Sequence, residues 1–261
     1  MSSSGSNANQ ELPEVHERLV APESGYVIDD GKLVRVAPAD PPHATCHANL
    51  SLLLGVHVAP DFRVAIDMLT RTSEIDDIAP DASVFPREPD PRTGGRRLEE
   101  LAFEIASTES LGHAGKKAVK LTGRGVRRVF AIDVERARAF EWSRELGTWS
   151  FLDSSAHIED AALAVPLPIE ALVHASKTDE AVARALVARR HPVIEAVRIE
   201  GQAEGRIART AEVLLAVLAS RGLRLLPEER ERILGERDPD RLDRWVDHVA
   251  LCASVAELLA T

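Results

Sequence analysis

Aromatic residues make up only 4% of the 261-residue chain, and tyrosine occurs once. The cores must therefore be built mainly from Leu, Val, Ile and Ala. Cysteine is as sparse: Cys46 and Cys252 stand far apart in partly apolar, helical patterns. Two such residues make no disulfide framework and lack the paired spacing of a structural zinc site. Buried thiols in a reducing, cytoplasmic compartment are the expectation. No apolar run approaches the ~20 residues that span a bilayer. The longest, 211–219, is interrupted by Glu212. The opening MSSSGSNANQ has neither the basic segment nor the apolar run of a secretory signal and reads as a polar leader over residues 1–15. A glycine-rich dinucleotide fingerprint after a strand and a Walker motif are both missing, which disfavours a Rossmann domain. Positive charge is also lacking overall. The formal net charge of −10 argues against a protein that coats nucleic acid by bulk attraction.

What is present is an ordinary globular composition, 44% hydrophobic and 28% charged, long enough for one or two domains. The charge is uneven. Residues 87–138 carry 12 Lys and Arg against 8 Asp and Glu, whereas residues 1–86 carry 5 against 13. Along the chain, YVIDDGKLVRV (26–36) signals a hairpin with a type I′ turn at Asp30-Gly31. After Pro38–Pro42, Leu50, Leu53, Leu54 and Val58 recur at helical spacing, giving a helix over about 43–58. Strands are expected over 63–69, 81–85, 98–106 and 128–133, a helix over 114–123, and a hairpin from 139–142 and 148–152. From about residue 178 the pattern is helical, with one long helix over 195–220, a C-cap at Gly222 and caps at Asp238 and Ser254. The fold class is therefore α/β, an α+β mixed sheet with a C-terminal α-helical extension: leader 1–15, core 16–175, helical region 176–261.

Three features in this order suggest chemistry. Asp81 follows Pro80 at a strand start, Glu104 sits inside the apolar LAFEIA, and Lys117 lies on the next helix. Two carboxylates on neighbouring strands can share a hard divalent cation such as Mg²⁺. The cation polarises a phosphate and acidifies water, and an ammonium offsets charge developing in the transition state. A carboxylate buried in LAFEIA needs a partner, although a solvent-facing Glu104 on an edge strand is the alternative. Arg124, Arg127 and Arg128 form a basic cluster suited to phosphate contact, or simply an exposed turn. His43 and His47, spaced i, i+4 beside Cys46, could pair on a metal, but His43 as a helix cap is the favoured reading. His113 is a weaker base candidate.

The segments PDASVF (80–85), FEIAST (103–108), KAVKLTGRGV (117–126) and VFAIDV (129–134), with IDDGKLVRV (28–36) and His43 upstream, resemble the Uma family of restriction endonucleases in the PD-(D/E)XK nuclease superfamily. The likeness covers about residues 20–175. It implies a restriction-endonuclease-like core and a Mg²⁺-dependent site in which Asp81 and Glu104 hold metal and Lys117 completes the catalytic set. The superfamily's lysine normally follows the second acid by two residues, where Ala106 stands here. The family places it on the following helix, which Lys117 matches, and Lys120 one turn on could substitute. The acidic residue that the family usually carries at the start of the first hairpin, just before the apolar-Asp-Gly run, is Val27 here, with Asp29 or Asp30 as stand-ins. The resemblance thus implies an endonuclease acting on DNA, with Lys120, Arg124, Arg127 and Arg128 as its nucleic-acid contacts. The rival readings are a nuclease fold kept only for binding nucleic acid or protein, and an assembly protein acting through its helical tail, which could also form a homodimer.

Overall fold

The computed structural model describes residues 26–36, 38–107 and 110–261; the expected leader, the start of the core at residue 16, and Thr108 lie outside them. The chain divides into two compact units between Arg189 and Arg190.

The first unit opens with a hairpin, β1 (Tyr26–Asp29) and β2 (Lys32–Arg35). Asp30 and Gly31 both have positive φ, +49° and +73°, as a type I′ turn demands. The helix α1 (Pro41–His57) follows, with Asp40 as its N-cap accepting from the His43 backbone N–H. Then come β3 (Phe62–Ile66), β4 (Thr70–Ser73), β5 (Asp76–Ile78), β6 (Ala82–Pro86), β7 (Leu101–Ala106), α2 (Leu111–Arg124), β8 (Arg128–Asp133), β9 (Arg138–Ser143) and β10 (Thr148–Leu152). Two short strands, β11 (His157–Ile158) and β12 (Leu167–Pro168), precede α3 (Ile169–Val173) and α4 (Thr178–Ala188).

The main sheet has the order β10-β9-β8-β7-β6-β3. Only β7 and β8 run parallel, joined by α2 as a crossover, and every other neighbouring pair is antiparallel. A second sheet, β2-β1-β5-β4, ties the first hairpin to the β4–β5 hairpin. Sequence periodicity did not indicate β4 and β5, because RTSEIDDI has no apolar alternation. They are held instead by a buried ion pair between Arg71 and Asp77.

Alternation along β7 sorts its side chains to two faces. Leu101, Phe103 and Ile105 join Leu50, Leu53 and Leu54 of α1 and residues of α3 in the larger core, where Phe103 stacks on Phe130 at 5.0 Å. Ala102 meets Ala118 and Leu121 of α2 on the other face. Both faces are covered, so β7 is a central strand. Glu104 shares the α2 face and is buried, which overturns the solvent-facing edge-strand alternative.

The second unit is helical: α5 (Pro192–Ser220), α6 (Pro227–Gly235), α7 (Pro239–His248) and α8 (Val255–Leu259). Its core gathers Leu214, Leu218, Ile233, Leu242, Leu258 and the fully buried Trp245. The expected caps form. Gly222 has φ +72°, Asp238 accepts from the Asp240 N–H, and Ser254 accepts from the Glu257 N–H. The mixed α/β class and the C-terminal helices agree with the sequence expectation. The α4 helix packs on α1 in the first unit.

Candidate active site

The candidate site lies where β6 begins and β7 ends. These strands pair antiparallel with Ala82 opposite Phe103, so Asp81 and Glu104 fall at the same end of the sheet. Asp81 is 8% exposed. Its Oδ2 accepts from the Ile105 N–H at 2.5 Å, and its Oδ1 accepts from His43 Nε2 at 3.1 Å. One hydrogen bond comes from the neighbouring strand and the other from α1, so the carboxylate is fixed in orientation. Burial alone would push its pKa up. The His43 hydrogen bond, the Lys117 charge and the Ile105 N–H together hold it below the ordinary value. The same contact raises the His43 pKa, with burial opposing.

Glu104 reaches Lys117: its Oε2 accepts from Nζ at 2.9 Å. Glu104 is buried, while the Lys117 side chain keeps 26% of its surface in solvent. The field of Lys117 also reaches Asp81, His43 and Asp67. Asp81, Glu104 and Lys117, singled out in the sequence, therefore occupy one electrostatically coupled site.

Two further residues belong here that the sequence reading did not assign. His47, one turn after His43 on α1, donates through Nε2 to the Asp81 carbonyl at 2.6 Å and stands 3.8 Å from Asp67 Oδ1. Asp67 follows β3, and its N–H donates to the same carbonyl at 3.3 Å. The i, i+4 histidine pair was the visible signal. Its partners are Asp81 and Asp67, and the cap of α1 is Asp40. A carboxylate directly after the apolar run VAI was the signal for Asp67.

The donor set suits a divalent cation. Asp81 offers an oriented carboxylate with lone pairs beyond its two hydrogen bonds, and one ligand atom each of His47, Asp67 and Asp81 lie within 4.8 Å of one another. Glu104 is outside that trio.

Lys120 points elsewhere, toward Asp29, Asp30 and Asp76 at 2.5, 2.8 and 2.5 Å. Asp29 and Asp30, the stand-ins for the acid missing at Val27, are thus gathered around Lys120 with Asp76. Arg124 donates to the Arg71 carbonyl. Arg127 and Arg128 lie at the opposite end of β8 from Asp133. They clamp Asp160, with Glu100 and Glu141 as further partners. Ser107 Oγ donates to Asp40 Oδ2 at 3.0 Å, bracing the end of β7 against the start of α1. Cys46 is half-buried and its thiol is pushed up to about 12 by burial, so it is no nucleophile at neutral pH.

Residues 12–170 match the model of the Uma2 family, described as "Putative restriction endonuclease". No curated protein matches the chain. Among solved structures, a "putative nuclease belonging to DUF820" from Anabaena variabilis is similar at 20% identity and a TM-score of 0.48, covering 59% of this chain and 93% of that one. Among the described residues no helix is long and apolar enough to cross a membrane.

Proposed function

From the chain's membership of the Uma2 family, to which the match over more than half its length assigns it, we propose that the protein is a divalent-metal-dependent endonuclease that hydrolyses DNA phosphodiester bonds. The observation that carries this reading is the coupled set of Asp81, Glu104 and Lys117 at one end of the sheet. Asp81 and Glu104 would hold the cation, Mg²⁺ in the simplest case. When bound, it would supply Lewis acidity toward the phosphate and acidify a water molecule.

The remaining roles fall to the chain's own groups. The Ile105 N–H and His43 keep the Asp81 carboxylate ionised and aimed. Lys117 Nζ, now bonded to Glu104, is the ammonium that would orient the attacking water and oppose negative charge growing on the phosphate. Burial of Glu104 strengthens these interactions over their worth in water. Lys120, Arg124, Arg127 and Arg128 would meet phosphates only by sharing or exchanging their present acidic or carbonyl partners. The substrate is DNA, and the compartment is the cytoplasm, where Cys46 and Cys252 stay reduced.

The test is cleavage of supercoiled plasmid and of single-stranded DNA by the purified protein with Mg²⁺ or Mn²⁺, run beside Glu104→Ala and Lys117→Ala. Cleavage by the unmodified protein that disappears in both variants is the expected result. No cleavage with either ion, or equal cleavage by all three proteins, would contradict the reading.

A further inference from the structure

The residues around Asp81 include donors that the Asp81–Glu104 pair does not use. His47 comes from the middle of α1, Asp67 from the turn after β3, and Asp81 from the start of β6, and their ligand atoms converge within 4.8 Å. The Asp81 carbonyl accepts from both His47 Nε2 and the Asp67 N–H, which holds these two residues beside Asp81. Asp67 is a non-glycine residue at φ +50°, and its side chain is 67% exposed, so positions facing it stay open to water or a ligand. The two donor sets share Asp81 and differ in the rest, Glu104 in one and His47 with Asp67 in the other. An imidazole favours borderline transition ions, whereas Mg²⁺ prefers oxygen alone and keeps its waters.

We propose that His47, Asp67 and Asp81 form a cation position, without Glu104, that takes a divalent transition ion in preference to Mg²⁺, with Mn²⁺ as its spectroscopic probe. Binding through Nε2 uses the neutral imidazole with its proton on Nδ1, so the hydrogen bond that His47 now makes to the Asp81 carbonyl is given up. An open set of one imidazole and two carboxylates leaves room for water and a phosphate oxygen. What the ion does there rests on the nuclease reading; that it binds does not.

The experiment is Mn²⁺ and Mg²⁺ titration of the full chain without nucleic acid, by calorimetry, with the electron spin echo of bound Mn²⁺ recorded for nitrogen modulation. The unmodified protein is expected to bind Mn²⁺ at least about ten-fold more tightly than Mg²⁺ and to show imidazole nitrogen coupling. His47→Gln should remove the coupling and weaken Mn²⁺ about ten- to a hundred-fold, and Asp67→Asn should weaken it similarly, each with an unchanged circular dichroism spectrum. Asp67→Asn guards against a folding defect, because Asn tolerates the left-handed backbone and the side chain is exposed. Glu104→Gln should keep the Mn²⁺ site. Binding lost in Glu104→Gln but kept in His47→Gln would overturn the inference and leave the nuclease reading standing. Mn²⁺ bound through His47 without any DNA cleavage would do the reverse.

Discussion

Two charged clusters sit on the main sheet and treat their charges differently. At one, Asp160 accepts from Arg127, Arg128 and the Ala162 N–H, and the two arginines are answered in turn by Glu100 and Glu141. At the other, Asp81, Asp67 and Glu104 face Lys117, His43 and His47, with Asp67 open to solvent. The first cluster pairs Asp160 with Arg127 and Glu141 with Arg128 in fork geometry, which holds strands and loops in register. The second places oxygen and imidazole donors side by side with one ammonium, and there burial raises the Asp67 pKa while its neighbours lower that of Asp81, a divergence that clusters at functional sites. The lesson is that basic residues in the segment 87–138 divide by partner rather than by proximity in sequence. Lys117 and Lys120 are one helical turn apart, yet one serves Glu104 and the other is clasped by three aspartates.

Substitutions sharpen that division. Lys117→Ala should lower DNA cleavage per folded molecule roughly 10²–10³-fold, the usual cost of removing one charge-stabilising donor, and should also lower the urea midpoint, because it removes the ammonium bonded to the buried Glu104 carboxylate. Asp160→Ala should instead cost about 2 kcal/mol in urea unfolding. The figure sits below that of a fully buried pair because the Arg127 side chain is 45% exposed. Acid should read out the same cluster. Burial raises the Asp160 pKa, but Arg127, Arg128 and the Ala162 N–H outweigh it and set the value at about 2 against 3.8 for the free group. A depressed carboxylate stabilises the fold fully above its unfolded pKa and ceases to do so as pH falls toward the folded value. Stability should therefore drop between roughly pH 4 and 2, and Asp160→Asn should flatten that limb. Lys120→Ala should cost about 1 kcal/mol or less, read as a lowered melting temperature, because its partners Asp29 and Asp30 are exposed. The smallest effect belongs to Asp67→Asn, within about 0.5 kcal/mol in unfolding. A large loss there would mean Asp67 is structural and would blur the contrast.

Much of this arrangement was legible in the sequence. The Asp30-Gly31 turn, the α1 stripe, the apolar LAFEIA and RVFAID runs and the proline and aspartate caps of the last helices each act through local physics. That Glu104 needed a partner was legible, because a carboxylate buried among Ala102, Phe103 and Ile105 demands one, whereas it was the family resemblance that pointed to Lys117 and Asp81 beside it. The β4–β5 hairpin was not, since the Arg71–Asp77 pair that stabilises it is a tertiary contact without an alternating pattern. Nor were the partners of Arg127 and Arg128, because Asp160 is brought to them by the return of the chain after β10. His47 and Asp67 come together only through the packing of α1 beside the end of β3, a register that spacing along the chain does not specify.

The most direct test measures cleavage rate and urea midpoint on the same preparations of Glu104→Gln and Asp160→Asn. Glu104→Gln should lose cleavage by about three orders of magnitude while its midpoint holds. Asp160→Asn should unfold at lower urea while its cleavage per folded molecule is unchanged. A Glu104→Gln protein that still cuts DNA, or one that fails by unfolding, would contradict the assignment of the active site.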